Sequence, residues 1–226
     1  MARQVSLATN FAANPGIWNN HVAPILLRCM ADVYITFCWI IKDAQVRCRQ
    51  FIEYGLGREK LAIEKYKEQV LKEEGKVNPD IRKFIETREK MLELERHSFL
   101  IPVNLGSWSE MNMRTMAQEV AEEKFYDYVF VQFSSAIHST WQHIWRFNLL
   151  TCTNLLHGGH RVPINPSLPP DLQQLMNAAN YLCKVFKKFD CAMLKLNDTE
   201  HSYSTYDFLN NELTKYLKEK NLDEAL

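Results

Sequence analysis

The 226-residue chain is 46% hydrophobic and 24% charged, the composition of one compact globular domain with a sizeable core. Lys plus Arg and Asp plus Glu balance at 27 each, which excludes a global basic field for holding nucleic acid nonspecifically and confines any RNA contact to a local patch. The N-terminus lacks the basic, apolar, small-residue order of a signal peptide, and the longest apolar run is broken by Arg28 and Asp32, so the expectation is a soluble cytoplasmic protein with no membrane partner.

Seven glycines and eight prolines fall in clusters between long helical patterns, so the chain reads as all-α. Residues 1–16 are polar and irregular and read as a mobile arm or cap. A first long helix is expected over residues 21–54, with Pro24 tolerated in its first turn and Gly55 and Gly57 ending it. Residues 58–74 are strongly charged but keep Leu61, Ile63, Tyr66, Val70 and Leu71 in a helical stripe, closed by Gly75. Asn78 then reads as an N-cap, with Pro79 at the first position of a helix to about His97. Residues 58–97 are thus expected as a charged antiparallel hairpin protruding from the body, its mixed-sign faces most simply solvated.

Residues 98–108, with Pro102 and Gly106, read as a returning loop, and Ser109 as the cap of a short helix to about Glu122. A second long core helix is expected over residues 123–150, where an aromatic band from Phe125 to Phe147 reads as packing rather than a base-stacking platform. Residues 151–170 hold His157-Gly158-Gly159-His160 and four prolines and form the longest irregular connection. An amphipathic helix over residues 171–196 and a last one capped by Ser204 complete the expected single bundle of six to seven helices over residues 1–226.

Polar clusters interrupt the two most apolar helical stretches. Arg28 and Asp32 are four apart, as are Ser134 and His138, so each pair shares a helix face. Burying a charge is costly unless it is paired, so these groups are expected to meet one another or a ligand. An imidazole such as His138 can move a proton near neutral pH, with Ser134 orienting it; a guanidinium such as Arg28 can grip phosphate, with Asp32 neutralising it. The structural alternatives are a packed histidine and an internal ion pair. Arg114, Tyr126 and Tyr128 are candidate further members, and Trp39 and Arg47 extend the Arg28 helix.

Six cysteines without Cys-x-x-Cys spacing argue against a zinc ribbon and a disulfide framework, and free thiols are expected. His138 and His143 are five apart and leave one face, while His157 and His160 lack nearby carboxylates, so neither metal nor cofactor is assigned. Ser134 lacks the Gly-x-Ser-x-Gly elbow of a hydrolase, and Gly55-Leu56-Gly57-Arg58 is too short for a phosphate loop.

The stretch Leu27-Arg28-Cys29-Met30-Ala31-Asp32, followed by Trp39 and Arg47, resembles the opening helix of a bacterial all-helical family known only as a domain of unknown function. Trp108, Arg114, Ala117, Tyr126, Tyr128, Phe133-Ser134 and His138-Ser139 are similar to the second half of its pattern. The likeness extends over residues 24–145 and implies no activity. The chain is more loosely similar to HEPN domains, helical bundles that often dimerise and act as metal-independent ribonucleases with an arginine shortly before a catalytic histidine. Ser134 holds that arginine's place here, so the arginine would come from Arg28 or Arg114.

The resemblance implies a HEPN-like effector, a metal-independent endoribonuclease or toxin of a bacterial stress or antiphage system. His138 would move the proton of an RNA 2'-hydroxyl or leaving oxygen, Arg28 and Arg114 would hold the phosphate, and Asp32, Ser134 and Tyr126 would set geometry. The competing expectation is a noncatalytic homodimeric scaffold or small-anion-binding module whose charged hairpin recruits a partner protein.

Overall fold

The computed structural model describes residues 1–72, 79–99 and 111–197. In chain order these form α1 (Ala2–Ala12), a 3-10 turn (Pro15–Ile17), α2 (Ala23–Lys42), α3 (Ala44–Lys72), α4 (Pro79–Phe99) and α5 (Met113–Glu119). There follow α6 (Glu123–Phe125), a π-helical segment (Tyr126–Phe130), α7 (Val131–Ile137), α8 (Trp141–Phe147), β1 (Leu149–Thr151), β2 (Arg161–Pro163) and α9 (Leu172–Asn197). The architecture is all-α, with β1 and β2 pairing antiparallel as a short ribbon. The expected helix end at Gly75, the Asn78 cap, Trp108, the Ser109 cap and the last helix from Ser204 lie outside the described residues.

Two compact units divide the chain, one of Met1–Ile41 with Met113–Leu226 and one of Lys42–Asn112. The expected continuous helix over residues 21–54 is broken at their boundary. Asp43 leaves the helical path between α2 and α3, and its carbonyl accepts the Arg47 N–H at 3.0 Å to start the next helix. Gly55 and Gly57 do not end a helix but lie inside α3. A helical glycine costs about 1 kcal/mol relative to alanine, too little to stop a helix that buries a stripe.

In the larger unit, α2 is the apolar centre. Asn19 Oδ1 accepts the N–H groups of His21 and Val22, and Pro24 sits in the first turn where it breaks no bond. Leu27, Met30, Ala31, Tyr34, Ile35 and Cys38 recur at helical spacing and are buried. α2 is long and apolar enough to cross a bilayer by length and composition, and 39% of that apolar stretch is buried inside the protein. Two of its polar groups are met by the end of α5 and the link to α6: Tyr34 Oη donates to Glu122 Oε1 at 2.7 Å, and Trp39 Nε1 donates to Glu119 Oε2 at 2.7 Å. Lys188 of α9 completes the network, its Nζ 3.0 Å from Glu122 Oε1. The Tyr34 ring meets Phe125 edge-on, and Phe125 meets Tyr181 of α9 in the same way.

Residues 1–16 are not a free arm. Leu7 and Phe11, four apart, are buried on one face of α1, which packs against α9. Trp18 stacks on Phe11 and donates from Nε1 to the Phe11 carbonyl at 2.8 Å, while the Trp18 carbonyl accepts the Asp171 N–H just before α9. Polar composition had hidden a two-residue apolar ridge.

The expected second long helix is also divided. It changes to π-helical winding at Tyr126, where Val131 N–H reaches the Tyr126 carbonyl five residues back, and it ends at His138. Ser139 takes the left-handed conformation, φ 47°, that closes the helix, and Thr140 starts α8. The expected irregular stretch beyond it contains β2, with Leu149, Leu150 and Thr151 opposite Pro163, Val162 and Arg161.

The smaller unit is the α3–α4 pair, sealed by Ile63, Ile85 and Leu92 with Leu56 and Val70 against them. Arg88 grips Glu59 with two donors, and Lys67 lies between Glu64 and Glu89. These partly exposed pairs orient the helices more than they stabilise them.

Two outcomes are expected. Phe11→Ala removes a fully buried ring and lowers unfolding free energy by about 3–5 kcal/mol in urea denaturation, where a free arm would give no change. His143 of α8 lies against His21 and Phe147, and burial first, then His21 and Arg146, hold its pKa below the ordinary 6.5. The unfolded chain therefore takes up this proton at higher pH than the folded one, so stability is full above about 6.5 and falls as pH drops below it. His143→Gln should lessen that fall, read as the urea midpoint between about pH 7 and pH 5.5.

Candidate functional site

The site is built on Arg28, whose side chain is only 12% exposed in the second turn of apolar α2. Its Nε donates to Ser134 Oγ of α7 at 3.0 Å. Its Nη1 is sealed from solvent and forms an ion pair with Asp32 without the alignment of a hydrogen bond. The guanidinium carbon lies 3.0 Å from the centre of the Phe130 ring, a cation–π contact inside a low-dielectric setting. Ser134 Oγ donates in turn to the Phe130 carbonyl at 2.8 Å, so its own proton is committed and its lone pairs face Arg28.

The π-helical turn places these groups. Tyr126 and Phe130, four apart at the two ends of the π segment, stack with rings 4.7 Å apart and 24° from parallel. Tyr126, Phe130, Arg28 and Ser134 are therefore one connected cluster spanning α2, the π segment and α7. Asp32 is the member facing water, with its side chain 41% exposed.

Of the residues singled out by sequence, the structure brings Arg28, Asp32 and Ser134 into direct contact and adds Tyr126 through Phe130. His138 is exposed at the end of α7, one turn beyond Ser134, and makes no hydrogen bond or ion pair with the described members of the cluster. Arg114 is exposed on α5 and likewise has no such bond to them, and Tyr128 is 76% exposed. Trp39 belongs to the Tyr34 network, and Arg47 lies beyond Asp43 in the other unit. Phe130 is the member that sequence reasoning passed over: it stands four before Ser134, but one ring in an aromatic band carries no mark of a cation above it.

The Tyr34 network is a second polar group, tuned for stability. Burial, then Cys38 and Glu122, push the Tyr34 phenol well up, so it stays protonated as a donor to Glu122. Burial likewise raises the Cys38 thiol to about 11, which keeps it an inert neutral group. Burial works against the charge of Lys188, but its bond to Glu122 outweighs that and holds the ammonium up. Glu119 and Glu122 had no sequence signal, because their partners are 80 and 88 residues away.

Residues 1–154 match the family of unknown function DUF5677. The chain belongs to that family. The match takes in the whole Arg28 cluster and the Tyr34–Glu122 and Trp39–Glu119 contacts, while Lys188 of the Tyr34 network lies beyond it. No curated protein and no solved structure matches the chain significantly.

Removing single members should separate the contacts. Ser134→Ala leaves Arg28 Nε without its acceptor and is expected to cost about 1 kcal/mol. Asp32→Ala should cost about 1–2 kcal/mol, discounted for its exposure to water, and less at high salt. Urea denaturation at low and high salt reads both values, and an Asp32→Ala loss that ignores salt would mean the pair is not acting through charge.

Proposed function

We propose that this family member is a noncatalytic helical interaction module of the cytoplasm, with the Arg28 cluster as an internal lock and the α3–α4 hairpin as the surface that recruits a partner protein. The observation that carries this reading is the occupation of Arg28. Its Nε and Nη1 are engaged by Ser134 and Asp32, and Phe130 covers it, so little of the guanidinium is left for a substrate phosphate. His138, the natural proton carrier, shares no bond with it. On the hairpin, Ile81, Phe84 and Met91 are 38%, 46% and 62% exposed among paired charges. A cavity of about 290 Å³ lined by Tyr66, Val70, Ile81 and Phe84 opens there, an apolar anchor point within a polar rim. Pairing of two copies through the same surface is the homodimeric form of this reading.

Two features favour a second reading, the HEPN-like metal-independent endoribonuclease or toxin of a bacterial stress or antiphage system. The accessible imidazole of His138 stands one turn from Ser134, and π-helical turns occur often at functional sites. Here His138 would take the proton of an RNA 2'-hydroxyl, and Arg28, released from Asp32, would join Arg114 on the phosphate.

Total RNA incubated with purified full-length protein in chelator separates the two. The module reading expects no cleavage, with wild type and His138→Ala alike; metal-independent cutting that disappears in His138→Ala would replace it with the nuclease. A companion pair of variants checks the division of labour. Arg28→Ala should lower the melting temperature by roughly 4–8 °C, as expected for a loss of about 2 kcal/mol in a chain of this size. Ile81→Glu with Met91→Glu should leave it unchanged but abolish self-association or cross-linking to a partner.

A further inference from the structure

The turn between β1 and β2 gathers three metal-ligating side chains that lie apart from the Arg28 cluster. Thr151 pairs with Arg161, which sets the next residues along, Cys152 and His160, opposite one another, and Cys152 N–H donates to the His160 carbonyl at 2.9 Å. The turn then folds back on itself. His157 N–H donates to the Asn154 carbonyl and His160 N–H to the His157 carbonyl, both at 3.0 Å, with Gly159 at φ 75° supplying the left-handed step between them. One ligand atom each from Cys152, His157 and His160 lies within 4.8 Å of the others, and Cys152 Sγ is 3.7 Å from His157 Nδ1.

We infer that this turn is a binding site for a zinc-class divalent ion, held by the Cys152 thiolate and the His157 and His160 imidazoles. Around a tetrahedral ion with Zn–S of about 2.3 Å and Zn–N of about 2.0–2.1 Å, neighbouring ligand atoms stand roughly 3.3–3.7 Å apart. The Cys152–His157 spacing already has that value, and the widest spacing needs closing by little more than about 1 Å, within reach of side-chain rotation. One thiolate and two imidazoles without a carboxylate select a borderline-soft ion and disfavour calcium and magnesium. The fourth position belongs to solvent, because His157 and His160 are exposed.

The turn also has a physical use for an ion. Cys152 is only partly buried, and Leu155 and Leu156 at the tip are 98% and 91% exposed, so hydrophobic burial does not order this segment. An ion bridging residues from both ends would staple it. Binding releases the Cys152 thiol proton to solvent, so affinity rises with pH. The sequence pattern is Cys-x4-His-x2-His, which is hidden when the two histidines are read without the cysteine before them.

Cobalt titration of the full-length, chelator-stripped protein tests the site, since a thiolate bound to Co2+ gives a near-ultraviolet charge-transfer band. Wild type should bind one equivalent, show that band and lose it when Zn2+ is added. Cys152→Ser should abolish the band, and His157→Gln or His160→Gln should weaken binding by at least about tenfold. Cys48→Ser and Cys191→Ser, which remove the two exposed thiols elsewhere, should change neither. Because the turn buries little, circular dichroism should stay wild-type in all five variants. A wild type without saturable binding, or a Cys152→Ser protein that keeps both band and affinity, overturns the assignment.

Discussion

A guanidinium placed in the second turn of the most apolar helix among the described residues has to be neutralised where it stands. The Arg28 side chain is largely buried, and the fold brings acceptors to it. Asp32 comes from the same helix one turn on, but Ser134 and the Phe130 ring come from a segment about a hundred residues later. That requirement ties the register of α7 to the register of α2. The segment that supplies these groups includes the π-helical turn, across which Tyr126 stacks on Phe130 while Ser134 meets Arg28.

The Tyr34 network repeats the principle two turns further along α2. A phenol, an indole N–H and a thiol all enter the core with polar atoms, and Glu119 and Glu122 from one turn and Lys188 from α9 form the network around them. A half-satisfied network would be worse than an apolar core, which is why the left-handed turn at Ala121, φ 58°, matters. It ends α5 with Glu122 N–H bonded to the Ala117 carbonyl at 2.8 Å, and the two carboxylates on either side of that turn meet Trp39 and Tyr34. Specific polar contacts, more than apolar area, distinguish this packing from that of any other helical bundle.

The strongly periodic pieces of the fold are legible in the sequence. The start of α4 at Pro79, the span of α9 and the pairing of Arg28 with Asp32 were legible because Pro at N1, a 3.6-residue stripe and two opposite charges four apart are local signals. What failed was continuity. Asp43 breaks a helix that has no glycine or proline nearby, while Gly55 and Gly57 sit inside one. Ser139 and the π turn divide a stretch whose aromatic content is uniform from end to end. The short β ribbon was missed because three-residue strands are too brief to show alternation.

By itself the sequence determined that the protein is all-α, that its thiols are free, and that two charges interrupt its most apolar helix. Those are consequences of composition and of spacings of three or four residues, which the chain carries wherever it folds. The tertiary structure alone decided which groups answer those charges. It placed Ser134 and Phe130 on Arg28, left His138 at a helix end in water, and closed Cys152 onto His157 and His160. Such pairings depend on the rotation of one helix or strand relative to another, and a single residue of extra winding or a single left-handed step changes that rotation more than any local preference can record.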